Sequence, residues 1–263
     1  MTYTGSDDLT VSLENGVLSV TLNRPDTLNS LSLRMLDGIA DAVTQAATDP
    51  AVKVVRLGGN GRGFSSGAGL SASDQDAKEH DPAAVLNAAN RAVAAIVNLP
   101  KPAVSVVHGV AAGVGVSLAL ACDIVLASES AYLLLAFTKI GLMPDGGASA
   151  LVSASIGRAR AMRMALLAEK LPAAEAYVAG LVSSVHAADE LDAEVERVIG
   201  ILKSGPAVAL RRTKQAINDA TLTELNNAFA RESAGQIQLL AAPDLREGIA
   251  AFQQRRSPSF TDA

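Results

Sequence analysis

The 263-residue chain has no tryptophan, one cysteine and three histidines, and aromatic residues make up only 3% of it. Each shortage excludes something. A single cysteine, Cys122, cannot form an internal disulfide, and three histidines without ligand spacing argue against a metal site. A net charge of −5 with no basic run argues against nucleic-acid binding, which needs a concentrated positive face. No apolar run reaches the length of a membrane span; even Val104–Leu126 is broken by glycines, His108, Ser117 and Asp123. Residues 1–8 show no basic stretch followed by an apolar one, so a cytoplasmic location is expected. What the chain does have is 49% hydrophobic residues, enough for a substantial core built from aliphatic side chains and alanine.

The periodicity places strands first among helices and then helices alone. Leu9–Leu13 and Val17–Leu22 alternate around Asn15-Gly16, a hairpin signal. Ser32 is positioned to cap a helix whose apolar face carries Met35, Leu36, Ile39, Ala40 and Val43. Val52–Leu57, Ala103–Val107 and Asp123–Ala127 read as strands. Asp81-Pro82 opens a helix with the stripe Val85, Ala89, Val93, Ile96 and Val97. Beyond residue 145 the pattern predicts helices over 146–156, 158–169, 172–180, 188–203, 206–218, 222–240 and 243–253, with a short apolar run at Leu181–Val185. An α/β core over residues 1–204, followed by a helical region over 205–263, fits this order.

Two glycine-rich segments follow strands. Gly58 to Leu70 lacks the Gly-Lys-Ser/Thr ending of a phosphate-binding loop and the spacing of a dinucleotide fingerprint. Gly109 to Asp123 places Gly113 and Gly115 at the mouth of an apolar helix, where unpaired N–H groups and the helix dipole favour negative charge. Together, the Ser66-Gly67-Ala68 and Gly113-Val114-Gly115 turns offer two backbone donors that would form an oxyanion hole if they converge. Glycines beside such donors let a substrate approach closely.

Several motifs, in one order along nearly the whole chain, resemble those of the crotonase superfamily, the enoyl-CoA hydratase/isomerase fold. They are Val20–Pro25 with Leu28–Leu31; Gly63–Ala68; Lys101–Val104 through Cys122-Asp123; Ile140–Gly147; Ala173–Ala176 with Gly180–Val182; and Phe252–Phe260. The resemblance implies a crotonase-type spiral core of ββα units and a C-terminal helical region that drives formation of a homotrimer or a hexamer. It implies an acyl-CoA thioester substrate, with CoA as part of the substrate and no separate cofactor. The thioester oxygen would lie between the N–H groups of Ala68 and Val114. Ser66, Gly113 and the segment Ala68, Gly69, Leu70 and Ser71 would line the substrate path. Arg24 and Arg255, with Arg256, would reach CoA phosphates.

The sequence departs from the family's hydratase pattern at its glutamate pair, whose positions fall on Ser117 and Phe137. Neither side chain serves as a carboxylate base, so both are expected only to line the substrate pocket. Gly69 stands in place of an aspartate, and Val114 in place of a glycine, where its branched side chain is expected to narrow the pocket. Asp145 is then the candidate acid–base residue, since the Pro144-Asp145 motif looks like that of enoyl-CoA isomerases, including those acting on ring-opened aromatic acyl-CoA intermediates. One carboxylate suffices to remove a proton at one carbon and return it at another. The competing role for Asp145 is the N-cap of a helix over Gly146–Ile156. His108 is expected to be structural and Cys122 inert. Asp74, Asp76, Lys78, Glu79 and His80 are expected to form a solvated part of the substrate-side loop. Three functions follow in order: an enoyl-CoA isomerase, an enoyl-CoA hydratase with atypical residues, and a non-catalytic acyl-CoA binder.

Overall fold

The computed structural model describes residues 2–69 and 82–261. β1 (Leu9–Glu14) and β2 (Val17–Leu22) pair antiparallel, with Glu14 opposite Val17. The two residues between them, Asn15 and Gly16, both have positive φ (49° and 84°), which matches the twist of a two-residue hairpin. β3 (Val54–Gly59), β4 (Ala103–Val107), β6 (Ile124–Ser128) and β9 (Ser184–His186) extend this pair into a sheet ordered β1-β2-β3-β4-β6-β9, parallel from β2 onward. Every residue of β4 is buried, as expected for a central parallel strand covered on both faces.

One face is covered by α1 (Leu33–Thr48) and α2 (Pro82–Val97), which pack on each other and, with α3 (Val114–Ala121), complete the main core. Ser32 caps α1 by accepting from the Met35 N–H at 3.3 Å, and Met35, Leu36, Ile39, Ala40 and Val43 face inward. On the opposite face, Val54, Val104, Val106 and Leu126 meet Leu191, Val195, Val198 and Ile199 of α6 (Leu191–Ser204). A second, smaller sheet joins β5 (Val110–Ala112), β7 (Tyr132–Leu134) and β8 (Leu171–Pro172). These strands have two or three residues each and leave no readable periodicity. Val110–Ala112, to which the sequence pattern assigned no element, is one of them.

α4 (Ala148–Leu167) is interrupted at Gly157, whose φ of 74° and ψ of 164° are not helical. This agrees with the two helices expected on either side of that residue. α5 (Ala173–Ala179), α7 (Ala207–Thr221), α8 (Leu225–Leu240) and α9 (Pro243–Gln253) complete the order. α7 docks through polar contacts with the core. Lys214 Nζ reaches Asp123 Oδ2 at 3.1 Å and donates to the carbonyls of Ile96 (3.1 Å) and Lys101 (3.3 Å), while Asn218 Nδ2 donates to Val97 O at 3.1 Å. These donors satisfy carbonyls at the C-terminal end of α2. Among the described residues, no helix is long and apolar enough to cross a membrane.

α8 turns Leu225, Ala228, Glu232 and Gln236 inward. Glu232, only 1% exposed, accepts from the Gly147 N–H at 2.6 Å and the Ser149 N–H at 2.8 Å. It thereby caps α4 from another helix and supplies negative charge at that helix's N-terminus. Burial pushes its carboxyl above the ordinary carboxylate value, against the pull of these amides. Replacing Glu232 by alanine leaves both amides without this cap and is expected to cost on the order of 2–4 kcal/mol of unfolding free energy. A carboxyl whose folded-state pKa is raised contributes stability that is full below its unfolded pKa and is lost as pH rises through the folded value. The gap in unfolding free energy between wild type and Glu232→Gln is therefore expected to narrow as pH rises through that window. Denaturant titrations at several pH values check this, and a gap that widens with pH would contradict it.

Candidate active site

The two glycine turns meet. Ser65 N–H donates to Val110 O at 2.9 Å, and Ala112 N–H returns a bond to Ser65 O at 2.8 Å, stitching the first turn to β5. Gly67 has φ +89°, and a Cβ there would stand 2.9 Å from Ala112 O and 3.5 Å from Gly113 Cα. A Cβ on Gly115 would stand 2.8 Å from Ser65 Cβ. Only glycine at these positions permits so close an approach of the two backbones. Gly113, with φ 52° and ψ −128°, is the N-cap of α3, so Val114 is the first residue of that helix. The N–H groups of Ala68 and Val114 donate to no acceptor among the described residues. They are two open donors on joined turns, one of them at a helix N-terminus where the dipole adds to the field.

Ala68 and Gly113 open onto a cavity of about 270 Å³. Its walls are largely apolar: Leu134, Phe137, Ile140, Leu142, Leu240 and Phe252. The carboxylate in its lining is Asp145, on the turn after the Phe137–Ile140 3-10 helix, and it is 8% exposed. Gln236 Nε2 donates to Asp145 Oδ2 at 2.7 Å, and Ser117 Oγ donates to the Asp145 backbone carbonyl at 3.2 Å. The N-cap of α4 is Gly147, and its amides are served by Glu232. The helix-cap role considered for Asp145 is thus filled by another residue, and its carboxylate lines the cavity instead. Such an arrangement, with open amides and a carboxylate in a mostly apolar cleft, suits removal of a proton beside a carbonyl.

The remaining candidates are placed as follows. Ser66 and Phe137 line the cavity; Ser66 Oγ donates to Thr27 O at 2.9 Å. Gly69 N–H donates to Leu31 O at 3.1 Å, next to the cavity. Ser117 is fully buried and is not among the lining residues; it sits behind the Asp145 turn. Nor does the Val114 side chain narrow the cavity: its Cγ1 packs 3.7 Å from where a Cβ on Gly146 would stand. Arg24 lies in an adjoining groove of about 690 Å³ that also holds Arg34 and shares Val85 with the cavity. Its Nη1 donates to Ser30 O at 3.0 Å. Arg255 is exposed, three residues past the cavity-lining Phe252. Its neighbour Arg256 is held by Glu247 at 2.5 and 2.7 Å. Leu70, Ser71 and the charge run from Asp74 to His80 fall outside the described residues. His108 stands elsewhere, with Nε2 3.0 Å from Gly61 O. Burial pushes the Cys122 thiol up to about 12, which leaves it unreactive. Among the described residues there is no cluster of His, Cys, Asp or Glu that could hold a metal ion.

Sequence reasoning missed Gln236 and Glu232. The available signal was their spacing: i and i+4 on a stripe with Leu225 and Ala228, which places two polar side chains on the face that must be buried.

Comparisons with known proteins identify the family. The sequence profile described as enoyl-CoA hydratase/isomerase matches residues 12–263. The 1,2-epoxyphenylacetyl-CoA isomerase of Escherichia coli (strain K12) is 38% identical over 95% of this chain and 96% of its own length. The 2,3-dehydroadipyl-CoA hydratase of the same strain is 35% identical over 96% of this chain and 98% of its own. A crystal structure of an enoyl-CoA hydratase from Mycobacterium avium subsp. paratuberculosis K-10 is 62% identical. It superposes with a TM-score of 0.91, covering 97% of this chain and 99% of that one. With a profile match over nearly the whole sequence and relatives of this likeness, the chain belongs to the enoyl-CoA hydratase/isomerase family of enzymes, with the crotonase fold.

Proposed function

We propose that the protein is an enoyl-CoA isomerase that shifts a double bond through a thioester enolate. The observation that carries this is Asp145, a carboxylate in the cavity wall, facing the same space as the turns that bear the open amides of Ala68 and Val114. In the proposed reaction the Asp145 carboxylate takes a proton from C2 of a 3-enoyl thioester. The electron pair moves onto the thioester oxygen, where the two amides stabilise it by several kcal/mol. The enolate then takes the same proton back at C4, leaving the double bond between C2 and C3. One carboxylate completes the cycle, and no water is consumed.

Ser117 and Phe137, at the positions where the family's hydratases carry glutamates, leave water activation without a second carboxylate there. Relatives carry both isomerase and hydratase names, so the choice rests on Asp145 and on the residues at those two positions. The apolar walls suit a hydrocarbon acyl group, and the adjoining groove with Arg24 and Arg34 suits the phosphates of CoA. That groove also holds Asp8, Asp37 and Asp41, of which Asp37 and Asp41 are paired with Arg91; Arg255, exposed near Phe252, is a further candidate for those phosphates. Val208, Ile217 and Ile237, exposed apolar side chains on the C-terminal helices, support the homotrimer or hexamer expected from the resemblance.

Two predictions test this. Wild-type protein given a 3-enoyl-CoA is expected to form the conjugated 2-enoyl thioester, read by its absorbance. Asp145→Asn is expected to lower kcat by about 10²–10⁴-fold with little change in binding. Full activity in this variant, or water addition to a 2-enoyl-CoA as the dominant reaction, would overturn the isomerase reading. Gly67→Ala, which forces a side chain against Ala112 O at a positive φ, is expected to misplace the Ala68 donor and lower kcat by about 10²-fold. An unchanged kcat in this folded variant would remove the oxyanion role from that turn.

A further inference from the structure

The Asp145 turn is gripped from outside by one helix. Glu232 and Gln236 stand one turn apart on α8, both 1% exposed. Glu232 holds the far side of the turn through the amides of Gly147 and Ser149. Gln236 holds the near side twice: its Oε1 accepts from Met143 N–H at 3.1 Å, and its Nε2 donates to Asp145 Oδ2 at 2.7 Å. A side chain at Gly235 would collide with Met143 Sδ, so glycine there lets α8 sit close to this turn.

These two bonds fix the orientation of the Gln236 amide. Rotated by a half-turn, it would set its carbonyl against the Asp145 carboxylate and its NH₂ against the Met143 N–H. Both contacts would be repulsive, in a place where water cannot relieve them. The NH₂ therefore faces Asp145. A donor at that distance favours the ionised carboxylate over the neutral acid, and it anchors one oxygen so that the carboxylate plane is set before substrate arrives.

We propose that Gln236 is a positioning residue for the proton transfer, holding Asp145 ionised and correctly turned toward the substrate carbons. This rests on the isomerase reading, in which Asp145 is the base. Charged residues on the elements around the turn are Arg231 and Glu232 on α8, Lys139 on the Phe137–Ile140 segment, Asp244, Arg246 and Glu247 on α9, and Arg158, Arg160 and Arg163 on α4; of these, Glu232 bonds the turn itself and Lys139 lines the cavity. The remaining neighbour, Ser117 on α3, is neutral and reaches only the Asp145 backbone.

The test uses Gln236→Met, which keeps the length and loses the donor, and Gln236→Glu, which sets a second carboxyl against the first. Two readouts are taken on the full-length protein: the pH profile of kcat/KM with a 3-enoyl-CoA, and the titration of the Asp145 carboxyl followed by NMR. In Gln236→Met, kcat is expected to fall about tenfold with KM changed less than about threefold. The Asp145 titration and the acid limb of the profile are expected to rise together by about one pH unit. In Gln236→Glu the pair is expected to share a proton and the limb to rise further. Folded variants whose Asp145 titration matches wild type would overturn the proposal. The NMR titration needs no turnover, so it separates failure of this assignment from failure of the isomerase reading, which would appear as absence of double-bond shift in the wild type.

Discussion

The close contact between residues 65–68 and 111–115 is the constraint on which the site depends. Backbones rarely approach so closely, because side chains intervene. Here Gly67 and Gly115 remove the obstacles, and Ser65 exchanges hydrogen bonds with β5 to hold the contact shut. The sheet delivers the two turns to each other: the first follows β3, and the second follows β4 and β5, with β3 and β4 paired as parallel neighbours. α3 then starts at Val114, apolar apart from Ser117 and buried apart from the half-buried Leu120. Its N-terminus therefore points at the cavity from a fixed position, and the amides need no reorganisation when charge develops.

The second constraint comes from the C-terminal helices. α7 is tied to the end of α2 by Lys214 and Asn218, and α8 lies across the start of α4. Glu232 has a structural consequence with a chemical one attached. By serving the amides of Gly147 and Ser149, it takes over the capping of α4, so Asp145 can turn its carboxylate to the cavity. The two amide bonds offset only part of the desolvation it suffers, and its carboxyl stays above the ordinary carboxylate value. The helical region thus builds part of the site, with Gln236, Leu240 and Phe252 in its wall.

Much of the scaffold was legible in the sequence because its signals are local. Asn15-Gly16, Ser32, Gly157 and the stripes of α1 and α2 each act within a few residues, and the elements formed where those signals stand. The glycine turns and the Pro144-Asp145 motif were also readable. β5, β7 and β8 were not, since two or three residues cannot display a period of two. The capping of α4 was left open, as a competing role for Asp145, for a different reason. Asp145 has the right chemistry and nearly the right position for a local cap, but the winning acceptor, Glu232, lies 85 residues beyond the Gly147 amide it serves. A helix stripe shows that Glu232 and Gln236 are buried; it does not show which amides they meet.

Removal of a proton from the carbon beside a thioester, by Asp145 with the charge received by Ala68 and Val114, is the step on which the functional reading turns. It can be isolated from any double-bond shift by using a saturated acyl-CoA in D₂O and following loss of the α-proton signal by NMR. The wild type is expected to exchange that proton for deuterium, and Asp145→Asn is expected not to. Absence of exchange in the wild type, or equal exchange in the variant, would contradict the assignment of Asp145 as the base.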